Sequence, residues 1–113
     1  MRKFIFITVF ITIFLAASSA QELPVVNVIN DIGFTMNSLH FRPLGSDTWG
    51  ANILTNDLLF KESVRTRLPS PLNEINVYDI LAVDRDGDSY YKRNVTITPD
   101  MRITFTIRDL VWN

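Results

Sequence analysis

The chain has 113 residues, no cysteine, and eleven basic against twelve acidic side chains, which suits one small domain with one core and excludes both a disulfide framework and a lipid-modified cysteine. Setting aside a 20-residue leader leaves 93 residues with nine basic and twelve acidic side chains. That net acidity argues against nucleic acid, because phosphate neutralisation needs a concentrated basic surface.

The leader is read from Arg2-Lys3, the apolar run Phe4 to Leu15 and the small-residue stretch Ala16 to Ala20, the three-part pattern of a secretory signal peptide cleaved after Ala20. An apolar run of that length falls short of the roughly 20 residues that span a bilayer. The expectation is therefore export, to a bacterial periplasm or the exterior, with no transmembrane anchor after cleavage.

Beyond Pro24, the β-branched segment Val25 to Asn30 reads as a first strand, with Asp31-Ile32-Gly33 as its turn. The next segment places apolar residues at Phe34 and Met36, then at Leu39 and Phe41. The face switches parity, so a one-residue bulge near Asn37-Ser38 is needed to bring both pairs to the core. From Ser46 to Leu54 the rhythm breaks: Ser46 or Asp47 caps a short helical turn with Trp49 and Ile53 on one side, and a second turn after Asn56-Asp57 carries Leu58, Leu59 and Phe60. Trp49 is expected as a core plug, a ligand-stacking role being its alternative. Val64, Thr66 and Leu68 then alternate with Ser63, Arg65 and Arg67, a strand whose arginines face water.

Tyr78 to Val83 is apolar on both faces, the mark of an interior strand, and should be among the most buried stretches. The Asp84-Arg85-Asp86-Gly87-Asp88 turn leads into a return strand on which Tyr91, Val95 and Ile97 share a face and Tyr90 points outward. A last strand alternates Met101, Ile103, Phe105 and Ile107 with Arg102, Thr104, Thr106 and Arg108, and Trp112 closes the core. Six or seven short strands imply an all-β antiparallel sandwich, or else a partly open barrel.

Asp84, Asp86 and Asp88 are the candidate metal ligands, since three carboxylates at alternate positions around a glycine suit calcium. The same residues are explained by turn geometry, with Asp84 and Asp88 bonding loop amides, and no following Glu completes an EF-hand. Asp79, on an apolar strand, needs a partner and is read as tying down a neighbouring loop. The lone His40 lacks companions at zinc-ligand spacing. Gathered with Asp79 or the loop aspartates in a cleft, it would support the alternative of a small hydrolase or lyase, although no G-x-S-x-G elbow is present.

Three stretches carry a resemblance: Asn27 to Thr35, the run from Leu39 to Leu54 with its S-D-T-W-G turn, and the Y-D-I and D-R-D-G-D segments between Tyr78 and Tyr90. Together they resemble a family of small exported bacterial β-sandwich modules of uncharacterised function. Members sometimes carry the label argininosuccinate lyase, but this chain is too short for that enzyme's helical core and lacks its serine-containing loop. The resemblance implies the fold and export, and no substrate. The expectation is a non-enzymatic binding or structural component of the cell envelope or exterior, with a protein or glycan as the partner if it binds. Its candidate contact residues are Asp47, Trp49 and Tyr90, with self-association by edge or face pairing as an alternative.

Overall fold

In the computed structural model, which describes residues 22–112, the alternating segments form six strands: β1 (Val25–Asp31), β2 (Met36–Pro43), β3 (Ser63–Arg67), β4 (Val77–Asp84), β5 (Ser89–Thr96) and β6 (Arg102–Thr106). The expected signal peptide and its cleavage after Ala20 fall outside the described residues. The strands make two three-stranded sheets, ordered β3-β1-β6 and β2-β4-β5, so the all-β sandwich follows the sequence. Its pairing is mostly antiparallel, with one departure. β6 runs parallel to β1 in a register that sets Val28 beside Ile103 and Asn30 beside Phe105. The reason lies at the turn before it: the Asp100 N–H donates to the Val25 carbonyl at 2.7 Å. β6 therefore starts where β1 starts.

The core lies between the sheets. Val26 and Val28 of β1 with Ile103 and Phe105 of β6 meet Leu39 and Phe41 of β2 and Tyr78, Ile80 and Ala82 of β4, all buried. Each large apolar side chain withdrawn from water in this way contributes about 1.5–3 kcal/mol. The central position of β4 in its sheet explains its apolar character on both faces.

Two bulges set which side chains reach that core. The first, between Met36 and Ser38, falls where the parity switch required it and brings Met36, Leu39 and Phe41 inward. Phe34 does not follow them and is 50 % exposed, because the strand begins only after it. The second bulge was not foreseen. Opposite Asp79 the β4–β5 register slips, and Asn94 takes a left-handed conformation with φ of 52°. Its effect is to put Tyr90 in phase with Val95 and Ile97, so Tyr90 points into the core at 1 % exposure and Tyr91 lies on the outer face, the reverse of the simple alternation.

The segment Ser46 to Leu54 holds no helical turn. Ser46 accepts only the local Thr48 N–H, and the chain then runs extended along the free side of β2, with the Gly50 N–H donating to Phe41 O at 2.9 Å and the Ile53 N–H to Leu39 O at 3.0 Å. Backbone pairing with an open edge outweighs the local helix signals. The helical turn in the described residues is a 3-10 turn at Ile107–Asp109, capped by Thr106 and Asp109 in a reciprocal capping box. It carries the chain from β6 to β5, where the Val111 N–H donates to Ser89 O at 2.8 Å. Trp112, expected to close the core, extends past this contact and is 83 % exposed. Among the described residues no helix is long and apolar enough to cross a membrane.

Candidate functional site

The β4–β5 turn is organised by one carboxylate. Asp84 is 2 % exposed; its Oδ1 accepts the backbone N–H groups of Asp86 at 2.9 Å and Asp88 at 3.0 Å, and its Oδ2 accepts the Tyr90 hydroxyl at 2.8 Å. Gly87 supplies the positive φ of 88° that closes the turn. Burial first, and then the Asp84 carboxylate that accepts its proton in a hydrogen bond, push the Tyr90 hydroxyl well above its ordinary pKa. Of the three aspartates only Asp84 is turned inward; Asp86 and Asp88 are exposed. Calcium prefers several oxygen ligands around one point. Among the described residues no group of three acidic or histidine side chains is placed to hold a metal.

The three candidate contact residues separate. Tyr90, buried against Asp84, presents no surface, a correction that follows from the β5 bulge. Asp47 is exposed on the turn after β2. Trp49 is half-buried on the outer face of the second sheet rather than in the core. Its ring covers the Arg42 guanidinium at 4.2 Å and meets Tyr91 edge-on at 5.4 Å. Arg42 in turn donates to the Asp79 carboxylate at 3.0 Å and to the Tyr91 hydroxyl at 2.7 Å. Asp79 also accepts the Asn94 N–H at 2.9 Å, so its role in tying down a neighbour is fulfilled at the β5 bulge. That N–H, the largest single influence, holds the Asp79 carboxyl below its ordinary pKa together with Arg42, against the opposing effect of burial. His40 shares this face, opposite Leu81, but its Nδ1 bonds the Gly50 carbonyl at 2.9 Å and makes no bond to Asp79.

A different surface emerges at the end of the sandwich that carries the Asp84–Asp88 turn. Phe34 and Phe60 line a shallow hollow with Arg85 and Asp86, and both are about half exposed. Leu59 is beside them, while Ile107, Val111 and Trp112 lie on the other flank, where the 3-10 turn meets β5. Of the eight large hydrophobic side chains exposed in the described residues, six therefore sit at this one end; Leu23 and Leu44 are the others. Strand alternation places Phe34 and Ile107 on core faces and Trp112 against the core, but β2 begins after Phe34, Ile107 opens the 3-10 turn and Trp112 extends past β5, so all three are exposed. The signal available was their apolar character at positions where turns are ordinarily polar.

No family model and no curated protein matches the chain. A solved structure does: the NMR structure of a protein from Eubacterium rectale is similar with a TM-score of 0.55 at 11 % identity, over 79 % of this chain and 82 % of that one. A likeness at that identity shows the fold alone.

Proposed function

We propose that the chain is an exported, non-enzymatic binding module, and that it docks on a protein or glycan of the cell envelope or exterior through the apolar end of the sandwich. The observation that carries this reading is the gathering of Phe34, Leu59, Phe60, Ile107, Val111 and Trp112 at that end. Single exposed hydrophobic residues are ordinary, whereas a cluster of them on one surface marks a contact site. The aromatic members supply large desolvation area with few rotors to freeze. The exposed carboxylates of Asp86 and Asp88 beside them supply hydrogen-bond acceptors for the rim. In this reading the buried Asp84 is the strut that fixes the rim, and it contacts no partner.

The test compares the purified protein with a Phe34→Ser, Phe60→Ser, Trp112→Ser variant for retention on isolated cell envelopes, with and without prior protease treatment. Retention falling at least about tenfold is the expected result, the scale set by losing aromatic anchors. Sensitivity to protease would identify the partner as protein and insensitivity as glycan. Equal retention of the two proteins would refute the proposal.

A further inference from the structure

A separate surface, independent of the apolar end, lies where the two sheets fail to meet. Among the described residues β3 is the outer strand of its sheet and pairs only with β1. Its even-numbered residues make those bonds, as the flanking links show: the Leu68 N–H donates to Pro24 O at 2.8 Å and the Asn30 N–H to Glu62 O at 2.9 Å. The backbone N–H and C=O groups of Ser63, Arg65 and Arg67 consequently point away from β1, toward an unpaired edge. Across from that edge runs the extended segment 50–53, which is itself bonded to β2. Between them is a crevice of about 250 Å³ whose walls include Phe41, Ile53, Leu68 and Pro69.

We propose that this crevice accepts an extended acidic peptide of a partner protein as an added strand along β3. Three features of the edge define the occupant. The open N–H and C=O groups of Ser63, Arg65 and Arg67 offer a strand's hydrogen-bonding ladder. Side chains at one parity of the incoming strand enter the apolar crevice, and those at the other parity stand on the outer face beside Arg65 and Arg67. Both arginines are exposed there; Arg65 shares a solvent-screened ion pair with Asp100 at 3.0 Å, and no ion pair among the described residues involves Arg67. The partner segment therefore alternates apolar with acidic residues. Charge also decides against a second copy of this chain, because an antiparallel β3–β3 pair would set arginine beside arginine on one face, a destabilising cross-strand arrangement. β5 offers no equivalent edge, being covered by Val111 at Ser89 and broken by the bulge at Asn94.

The probe is a synthetic peptide alternating Val and Glu over about seven residues, the length of an ordinary strand, with a Val/Lys peptide of the same length as its counterpart. Binding is followed by amide exchange and by chemical-shift changes. The Val/Glu peptide should protect the amides of Ser63, Arg65 and Arg67 and bind at least about tenfold more tightly than the Val/Lys peptide. An Arg65→Glu, Arg67→Glu variant should reverse that preference while keeping the fold, since both side chains are exposed. No protection of those amides, equal affinity for the two peptides, or concentration-dependent self-association that protects the same amides would overturn the proposal.

Discussion

Tyr78 and Tyr90 are both buried, and the difference in what their hydroxyls meet separates them energetically. The Tyr90 hydroxyl donates to Asp84, whereas the Tyr78 hydroxyl has no hydrogen-bond partner among the described residues. Tyr90→Phe strands a buried carboxylate oxygen and should cost about 1–3 kcal/mol in urea unfolding, while Tyr78→Phe removes only an unpaired group and should be neutral or stabilising. Burial raises the pKa of both Tyr78 and Tyr90. A group whose folded pKa is raised contributes stability below its unfolded value, about 10 for tyrosine, and loses it as the pH rises further toward the folded value. Stability should therefore decline above about pH 10, less steeply in either Phe variant. Asp79 works in the opposite sense, because its folded pKa is depressed. Its contribution is complete above the unfolded value of about 3.9 and disappears as the pH falls through the lower folded value. Asp79→Ala should weaken the protein at neutral pH and flatten the acid limb of its stability curve, measured by denaturant unfolding across pH. Calcium should leave the thermal midpoint unmoved, since the Asp84 carboxylate already accepts from two amides and a hydroxyl; a midpoint raised by calcium and lowered again by a chelator would count against the turn account.

Among the elements, the extended segment beside β2 depends on a close approach at one glycine. A Cβ on Gly50 would stand 2.8 Å from the Phe41 carbonyl oxygen, a backbone atom with no rotamer to move aside. Gly50→Ala should therefore lift the segment from β2, cost about 1–3 kcal/mol as an overpacked contact, and speed amide exchange at Gly50 and Ile53 well beyond that of β4. Unchanged exchange would mean that the edge is not held by these bonds. The same segment illustrates what a sequence conceals. The Arg65 and Arg67 alternation on β3 was legible because a half-exposed strand follows period two. The helical turn expected at Ser46 to Leu54 failed because the segment's conformation is set by carbonyls of β2, which no local pattern reports. Tyr90 was assigned to the wrong face for a related reason: the Asn94 bulge answers to Asp79 on the neighbouring strand.

For the whole molecule, the two-sheet sandwich was readable from composition and strand rhythm, and which strands share a sheet was not. The parallel β1–β6 pair could not be inferred from alternation, which is identical for parallel and antiparallel neighbours when one face is wet. The candidate contact surface was equally hidden, being assembled from three turns and a chain end that share nothing but a position in space. Its separation from the core has a measurable correlate: the Phe34→Ser, Phe60→Ser, Trp112→Ser variant should keep its unfolding free energy within about 1 kcal/mol of the parent, as substitutions at exposed sites do. A larger loss would mean that these side chains serve packing as well.

The parallel pairing of β1 with β6 carries a consequence in time. The first and last strands of the fold are neighbours, registered from Asn27 with Arg102 to Asp31 with Thr106, so the central strand of one sheet waits for the final segment before it has a partner on that side. Contacts of such long sequence separation close slowly. A chain ending at Pro99 should remain uncollapsed, without the dispersed amide spectrum of the intact protein, and the intact protein should acquire its core in a single late step once β6 is free to join.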